Sequence, residues 1–568
     1  MATLLLAAAG SAAGGAIGGS ILGVGAATIG GALGTVAGSL IDQRIIAGMA
    51  PDQRVEGPRL DSLRVTGATE GVPIPRVYGR MRVPGNVIWA TDFREESSTE
   101  TTGGGGKGGG GPSISTTTYT YYASFAMALC EGRIAGLGRV WADGELMDLT
   151  GVTMRVHEGG ETQARDPLIR SVMGDDATPA YRGTAYVVFE DLDLAPFGNR
   201  IPQLSFEVFR PALHDDDSLE NLVKAVTLIP ASGEWTYATE PIVRVEGAES
   251  ISENVNALAE TADLEVSLDR LQAMCPNVES VSLVVSWFGT DLRAGACEIK
   301  PGVDLAEKTT EPLVWSVNGV SRAAAHLVST DAEGRAAYGG TPADAAVVQA
   351  IRAIRARGLR VTFYPFILMD VPPGNDLPDP YSANAASTGQ PAYPWRGRIT
   401  CSPAAGQPGT VDRTAAAQAQ VEAFFGDAVT TDFAVSGTTV TWTGDPTDWG
   451  LRRMILHYAH LCEAAGGVDA FLVGTELRGI TTVRNGASTY PAVTELQTLA
   501  TAVRSIVGAG TQISYAADWS EYFGHHPDDG SGDVHFHLDP LWADDAIGFV
   551  GIDNYMPLAD WRDGDAHL

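Results

Sequence analysis

The chain has 568 residues, of which 69 are Asp or Glu and 38 are Lys or Arg, so its formal net charge at pH 7 is −31. This length predicts about three to five domains, and the 44% hydrophobic content excludes a largely disordered chain. The acidic pI near 4.6, without a sustained basic run, excludes a nucleic-acid groove and disfavours anionic membranes as electrostatic partners. Its five cysteines follow no disulfide framework, which predicts free thiols and synthesis in a reducing cytoplasm.

The first segment, residues 1–41, contains no charged side chain. It is long enough to span a bilayer, but it lacks the basic start of a secretory signal. Glycines recur in it at every fourth position, a spacing that lets helices approach closely in apolar surroundings: Gly10, Gly14, Gly18, and again Gly30, Gly34, Gly38. We therefore predict an apolar helical segment over residues 1–50, which is either a membrane anchor or an oligomeric plug for membrane insertion.

Residues 51–250 are predicted to form a β-rich barrel or sandwich, because short alternating runs bounded by turn residues recur through them. Examples are VYGRMRVPGNVIWA, TTYTYYASFAMAL and QLSFEVFR. The glycine-rich stretch at 103–111 superficially resembles a phosphate-binding loop, but it lacks the Lys-Ser/Thr pair and the helix that follow in such loops. It is predicted to be a mobile hairpin tip without a nucleotide.

Four longer motifs carry a family resemblance: PRLDSLRVTGATEGVPIPRVYGRMRVPGNVIWA, FAMALCEGRIAGLGRVWADGELM, TPAYRGTAYVVFEDLDLAPFGNRIPQLSFEV and SLVVSWFGTDLRAGACEI. From about Pro58 to its last residue, the chain resembles the large tail-tip protein of gene transfer agents and related siphophages. That family is called the baseplate megatron or host-specificity protein.

The resemblance implies a hub domain that forms a ring at the end of a phage-like tail tube, usually as a homotrimer. Its expected partners are other tail and baseplate proteins, including distal tail and hub proteins, and a glycan of the host cell surface. The N-terminal helices would bundle along the ring axis and enter the host membrane through residues 1–41 during DNA delivery. The chain would be made in the cytoplasm and assembled into an extracellular particle, with no sequence-specific binding of nucleic acid.

Residues 251–568 alternate hydrophobic strands with amphipathic helices, which predicts a parallel βα architecture. The predicted helices are Ala343–Arg357, Trp449–Ala465 and Ala492–Val507. The predicted strands are Val281–Trp287, Leu359–Leu368, Val468–Thr475, Gln512–Asp518 and Ile547–Tyr555, with a weaker one at Pro312–Val317. A closed barrel of this type needs eight βα units, so six units predict an incomplete TIM-barrel-like domain and a native polypeptide longer than this sequence.

Glu476 directly follows the predicted strand Val468–Thr475, at the edge where such barrels carry their functional groups. A partly desolvated carboxyl group there can have a pKa high enough to protonate a glycosidic oxygen. The barrel of gene transfer agents is in turn similar to glycoside hydrolases of the two-glutamate clan, and this resemblance makes Glu476 of LVGTELRG the acid/base. The chain departs from the clan in having Thr475 where Asn is usual, and the clan's nucleophile would lie beyond Leu568.

Two further pairs of residues end the last two predicted strands and are candidates for a sugar subsite. Carboxylate acceptors and aromatic faces suit pyranose rings, which favours substrate binding by Asp518, Trp519, Asp553 and Tyr555. The alternative is that the aspartates cap turns and that the tryptophan closes the top of the barrel.

The histidines do not predict a metal site. Four of the ten lie in the window HHPDDGSGDVHFH, which begins at His525 and ends at His537, and this window has no fixed metal-ligand spacing. A solvated loop is therefore predicted there, whereas His457 and His460 are predicted to pack against the barrel wall. No cofactor and no Ser-His-Asp triad are predicted.

Three functions are compatible with these patterns. The first is a structural tail-tip hub whose barrel binds or cleaves a glycan, and the long motifs favour it. The second is a glycoside hydrolase with a membrane anchor, and the third is an anchored adhesin that binds a glycan without turnover.

Overall fold

The computed structural model describes residues 73–102, 114–211, 218–229, 232–247, 249–257, 259, 261–384 and 386–556, with the backbone of short strands at 20–21, 24–25 and 53–56. The chain divides into two compact units, Met1–Arg210 and Pro211–Leu568. Each unit is built around its own sheets, and the sequence had placed this division at residue 250.

Within residues 1–50, the structure describes two short antiparallel strands, β1 (Ser20–Ile21) and β2 (Val24–Gly25). The rest of the predicted N-terminal helix lies outside the described residues, as does the glycine-rich stretch at 103–111; the helix positions concerned are Gly10, Gly14, Gly18, Gly30, Gly34 and Gly38. In the part of the chain that the structure describes, no helix combines the length and the apolar character that crossing a membrane requires.

The first unit is β-rich, as predicted. Its strands are β3 (Gln53–Glu56), β4 (Gly79–Pro84), β5 (Asn86–Ala90), β6 (Arg94–Thr102), β7 (Ile114–Glu131), β8 (Gly136–Ala142), β9 (Glu145–Leu146), β10 (Thr153–His157), β11 (Thr184–Asp193) and β12 (Leu204–Arg210). The described part of the unit also contains a helix, α1 (Pro167–Met173), and a 3₁₀ turn, Ala195–Phe197.

The strands β3 to β12 form two sheets among the described residues of this unit. The larger has the order β10-β11-β7-β3, with β5 and β6 also paired to the long strand β7, and the smaller has the order β4-β12-β8-β9. Aromatic side chains connect the sheets: the rings of Phe125 and Phe189 stack at 5.1 Å, and Phe189 lies 6.3 Å from Phe206 of the other sheet. All three are fully buried, so the sheets share an apolar core.

The second unit alternates strands and helices. Its helices are α2 (Leu219–Leu222), α3 (Asp263–Met274), α4 (Asp344–Ala356), α5 (Ala415–Phe425), α6 (Leu451–Ala465), α7 (Arg478–Thr481), α8 (Pro491–Val507) and α9 (Asp539–Trp542). Its main strands are β13 (Ala225–Leu228), β16 (Ser280–Gly289), β23 (Arg360–Met369), β26 (Ala470–Thr475), β27 (Gln512–Asp518) and β28 (Gly551–Asp553). The three predicted helices are confirmed as α4, α6 and α8.

Shorter strands surround this framework. They are β14 (Val243–Glu246), β15 (Glu249–Ser252), β17 (Ile299–Lys300), β18 (Gly302–Val303), β19 (Thr310–Glu311), β20 (Ser316–Val317), β21 (Val320–Ser321), β22 (His326–Leu327), β24 (Phe433–Ser436) and β25 (Thr439–Trp442). Short 3₁₀ turns occur at Ala294–Ala296, Arg322–Ala324, Arg396–Arg398 and Trp519–Phe523.

The main strands form a parallel half-barrel sheet in the order β13-β16-β23-β26-β27-β28, and β17 adds to β16 in antiparallel fashion. Five of the predicted strands are confirmed in it. The weaker strand predicted at Pro312–Val317 does not belong to this sheet: its last two residues form β20, which pairs with β21 in a separate hairpin, and β13 supplies the sixth strand.

Side chains of β23 show how the half-barrel is layered. Burial alternates along the strand, and Val361, Phe363 and Ile367 belong to the same apolar cluster as the helix residue Ile351. Because successive side chains of a strand point to opposite faces, Tyr364 lies on the other, concave face. Polar groups at the carboxyl ends of the strands therefore converge on that face.

Candidate functional site

Glu476 is the first residue after β26, and its side chain lies in the interior although it carries a carboxyl group; the residue is 4% exposed. Its backbone adopts φ +47°, which is uncommon for a residue other than glycine, and its N–H donates to the carbonyl oxygen of Ala516 at 2.7 Å. Such backbone conformations occur often at functional positions, where the surrounding structure holds them in place.

Two neighbouring side chains hold the Glu476 carboxylate. The indole Nε1–H of Trp395 donates to Oε2 at 2.6 Å, and Nη2 of Arg396 lies 3.0 Å from the same oxygen. The contact with Arg396 is an ion pair and not a hydrogen bond, because Nη2 of Arg396 has no hydrogen-bond acceptor. One carboxylate oxygen is therefore bound by both an uncharged donor and a cation.

Arg396 is itself fixed in place. Its Nε donates to the carbonyl oxygen of Thr475 at 2.9 Å and to the Thr475 hydroxyl at 3.1 Å, and its guanidinium lies 3.6 Å from the centre of the Phe366 ring. The residue is buried. A buried cation with a carboxylate partner, a backbone acceptor and an aromatic face is positioned with little freedom.

Asp553, the last residue of β28, reaches the same place from another strand. The hydroxyl of Tyr364 on β23 donates to its Oδ2, and Asp553 also makes a side-chain hydrogen bond with Glu476. Burial raises the pKa of Tyr364 well above its usual value, so this phenol stays protonated and acts as a donor. Three strands thus bring two carboxyl groups and a phenol together.

The environment of Glu476 raises the pKa of its carboxyl group. Burial is the largest cause, and the negative charge and hydrogen bond of Asp553 act in the same direction. The charge of Arg396 and the hydrogen bond from Trp395 lower the pKa but do not cancel the rise. This is the direction that a general acid requires near neutral pH.

The other predicted site residues have different surroundings. Asp518 caps the turn Trp519–Phe523, because its carboxylate accepts from the backbone N–H of Ser520 at 3.0 Å and Glu521 completes the capping box. Trp519 lines the large cleft described below. Tyr555 is mostly exposed; partial burial raises its pKa, and the negative charges of Glu476 and Asp553 act in the same direction.

A cleft of about 1060 Å³ opens next to Trp395. The tryptophans Trp395 and Trp519 line it, together with Tyr381 and four arginines, Arg398, Arg413, Arg478 and Arg484. Aromatic faces and arginines around one cavity are suited to a ligand that combines flat apolar faces with hydrogen-bonding or charged groups.

The histidine window forms part of the same cleft. The backbones of His525 and His535 bond to each other at 2.8 and 2.9 Å, and burial lowers the pKa of His525 to about 4. His537 is buried, and its Nε2 lies 3.9 Å from Glu521. Among the described residues, no three His, Cys, Asp or Glu side chains are grouped in a way that would hold a metal ion.

The two helix histidines lie in the interior of the unit. His457 is fully buried between Asp344 and Asn318, with ring-nitrogen contacts of 2.9 and 3.1 Å. His460 bonds to the carbonyl oxygen of Thr430 at 3.0 Å. Both histidines therefore have structural partners.

Sequence reasoning missed Tyr364, Trp395 and Arg396. A signal for Tyr364 exists in the alternation of β23, which places it on the opposite face from Phe363. Trp395 and Arg396 lie in the long connection between β23 and β26, where no periodic pattern assigns a direction to a side chain. Their pairing with Glu476 follows from the tertiary fold alone.

Comparison with known families agrees with the resemblance. Residues 449–568 match the family model of the GTA TIM-barrel-like domain, where GTA stands for gene transfer agent. This match includes Glu476, Asp518, Trp519 and Asp553. It confirms the resemblance to gene transfer agent tail proteins that the sequence motifs indicate. A comparison with curated proteins finds no match.

Three solved structures are similar to parts of the chain. A chain of the virion of a native gene transfer agent particle is 44% identical, with coverage of 37% of this chain and 42% of that chain and a TM-score of 0.22. A GH113 β-mannanase from Alicyclobacillus acidocaldarius is 13% identical, with coverage of 59% of this chain and 62% of the mannanase and a TM-score of 0.28. A GH113 β-1,4-mannanase is 15% identical, with coverage of 60% of this chain and 64% of the mannanase and a TM-score of 0.27. The chain thus spans less than two thirds of the length of each.

Proposed function

We propose that the chain is a tail-tip component of a gene-transfer-agent-like particle and that its half-barrel binds a cell-surface glycan at Glu476. The family match over residues 449–568 supports the particle assignment. The observation that carries the glycan proposal is the buried Glu476 carboxyl group, which Trp395 and Asp553 contact at the carboxyl edge of a parallel sheet.

Glu476 is proposed as the acid that protonates a glycosidic oxygen. The upward shift of its pKa favours the protonated form that an acid needs. The indole of Trp395, which lines the cleft, donates to the carboxyl group. Asp553 is a positioning residue in this scheme, because its charge and hydrogen bond raise the pKa of Glu476. Arg396 then stabilises the carboxylate that remains once the proton has been transferred.

A second candidate is glycan binding without turnover. Retaining hydrolysis uses two carboxyl groups about 5–5.5 Å apart, and inverting hydrolysis uses a wider separation. Asp553 instead acts on Glu476 directly, because its charge and a side-chain hydrogen bond both raise the pKa of Glu476. This geometry favours an adhesin-like half-barrel over an enzyme that is complete within these residues.

Glu476→Gln in the full chain tests the site and separates the two candidates. We expect the substitution to weaken retention of the chain on an array of bacterial surface glycans if Glu476 contacts the ligand. An enzyme would also release reducing ends, and only the wild-type chain would do so. Glu333→Gln is the matched control, because Glu333 is exposed and bonds to Arg335 in a separate loop. Equal retention of wild type and Glu476→Gln would reject Glu476 as the binding site.

The finer parts of the hub proposal rest on the resemblance. They comprise a homotrimer, contacts with distal tail and hub proteins, entry of residues 1–41 into the host membrane, and synthesis in the cytoplasm before assembly. Electron microscopy of particles labelled with an antibody against this chain tests the homotrimer and its position at the tail tip. Three-fold density at tail ends is expected, and label that is absent from the particles would reject the hub.

A further inference from the structure

We propose that the glycan bound beside Glu476 carries an anionic substituent, a carboxylate or a phosphate, and that Arg398 and Arg478 bind it. These two residues are called the arginine pair below. The inference rests on the proposed function, since it names the chemical class of ligand that the same site takes.

The arginine pair lies at one wall of the cleft of about 1060 Å³, close to the residues that contact Glu476. A methyl group added at Gly479 would lie 2.5 Å from the carbonyl oxygen of Ile399 and 2.7 Å from that of Gly397. The start of α7 and the turn Arg396–Arg398 are therefore in direct backbone contact. This contact brings Arg478 and Arg398 to the same wall, two residues away from the ion pair of Arg396 with Glu476.

The arginine pair differs from the other arginines of the cleft, which have carboxylate partners. Arg484 lies 2.9 Å from Asp412 and 3.2 Å from Asp529, and Arg413 lies 3.5 Å from Asp529. Among the residues that the structure describes, neither guanidinium of the arginine pair has a carboxylate within ion-pair distance.

The carboxylates that line the cleft do not change this result. Glu521 is buried and accepts from the hydroxyl of Thr481 at 2.6 Å and from the backbone N–H of Asp518 at 2.8 Å. Asp528 is exposed on the histidine loop. In a chain with 69 acidic residues and a net charge of −31, two arginines without a carboxylate partner next to a buried glutamate provide a local site for an anion.

Arg398 is also held in position for such a ligand. Its guanidinium lies 4.8 Å from the centre of the Tyr381 ring, and the Tyr381 hydroxyl donates to its carbonyl oxygen at 2.8 Å. The planar guanidinium fork matches both carboxylate and phosphate oxygens, which makes the shared chemistry an oxyanion. Trp395 and Trp519 line the same cleft and offer aromatic faces to the sugar rings that carry this anion.

Calorimetric titration of the full chain tests the proposal with two matched pairs of probes. One pair is tetragalacturonic acid and its methyl ester, and the other is a phosphorylated mannan oligosaccharide and its dephosphorylated form. We expect at least one anionic probe to bind about tenfold more tightly than its neutral counterpart, with weaker binding at high salt. The pair that shows the difference identifies carboxylate or phosphate as the anion.

Variants assign the effect to the arginine pair. Arg478→Ala and Arg398→Ala should each weaken the anionic probe by about tenfold and leave the neutral probe unchanged, while Arg478→Lys retains part of the affinity because the charge remains. Arg360→Ala is the control, since Arg360 is exposed at the opposite end of β23 and pairs with Glu279. Anionic binding that is insensitive to both alanine variants overturns the proposal.

The failures of the two proposals are distinguishable. If charged and neutral probes bind equally and Glu476→Gln weakens both, glycan binding at Glu476 stands and the anionic inference is overturned. If no probe binds and Glu476→Gln changes nothing on the glycan array, the proposed function falls, and the inference falls with it.

Discussion

The indole N–H of Trp395 and the carboxylate of Glu476 are 2.6 Å apart, although the two residues are separated by 81 positions in the sequence. This bond lowers the pKa of Glu476, whereas burial and Asp553 raise it. The protonation of Glu476 is therefore set by opposing neighbours that can be removed one at a time.

Trp395→Phe removes the donor and keeps an aromatic ring. Because the lost hydrogen bond stabilises the ionised form, we expect the pKa of Glu476 to rise further. The carboxyl C=O band in infrared difference spectra, identified by its loss in Glu476→Gln, should then persist to higher pH than in the wild type. A band that titrates at the wild-type pH would contradict the assigned role of Trp395.

Asp553→Asn should have the opposite effect. The substitution removes a negative charge that disfavours ionisation of Glu476, so the pKa of Glu476 should fall. The same infrared band should disappear at lower pH than in the wild type. Asp539→Asn, at the start of α9, is a suitable control and should leave the band unchanged. An upward shift in Asp553→Asn would mean that Asp553 does not act on Glu476 through its charge.

Arg396→Ala tests the cation beneath the site. It breaks a buried ion pair, two hydrogen bonds to Thr475 and the stacking on Phe366, so the free energy of unfolding should drop by about 3–5 kcal/mol. Part of that loss arises from leaving Glu476 without its partner. In a Glu476→Gln background the loss in urea unfolding should therefore be smaller, and equal losses in both backgrounds would show that the pair is not coupled.

The strands of the half-barrel were predictable where hydrophobic runs are long. The predicted strand Gln512–Asp518 coincides with β27, and every residue of this strand after Gln512 is buried, as expected for a parallel strand that is covered on both faces. Strand β13 was missed because its four residues, Ala225–Leu228, are too few to show a hydrophobic pattern that differs from the neighbouring sequence. Pro312–Val317 was overpredicted because a short apolar run also suits a hairpin.

Only the site residues that directly end a strand could be predicted from the sequence. The end of β26 places Glu476 without reference to any other element, and the end of β28 does the same for Asp553. In contrast, Arg396 reaches Glu476 from an irregular connection, and its direction depends on Phe366 and Thr475. Contacts of this kind are fixed by packing, which no local pattern in the sequence records.

In the first unit, Glu207 offers a pH-dependent test of the β-rich fold. Arg139 and Arg80 bond to its carboxylate at 3.0 and 2.6 Å, and hydrogen bonding from Arg139 is the largest cause that lowers its pKa to about 2. The pKa of a glutamate in the unfolded chain is about 4.3, so this stabilisation is present above that pH and is lost as the pH falls toward 2.

Glu207→Gln should therefore reduce the free energy of unfolding at pH 7 by about 1–2 kcal/mol, since both arginines are partly exposed and screened by solvent. The difference from the wild type should shrink as the pH is lowered below about 4. Glu145→Gln, at an exposed position of β9, is the control and should be neutral at every pH. A deficit that stays constant with pH would show that the charge of Glu207 is not what stabilises the sheet.

Gly479→Ala tests the backbone contact that supports the cleft wall. The added methyl group would meet two backbone carbonyl oxygens, those of Ile399 and Gly397, which cannot rotate away as a side chain would. We expect a loss of about 1–3 kcal/mol in the free energy of unfolding, because α7 must move away from the turn Arg396–Arg398. Gly510→Ala is the matched control: a methyl group there meets no atom within 4 Å, and its backbone does not require glycine, so stability should hold or rise slightly. Equal stability of the two variants in urea unfolding would show that α7 and this turn are not in close contact.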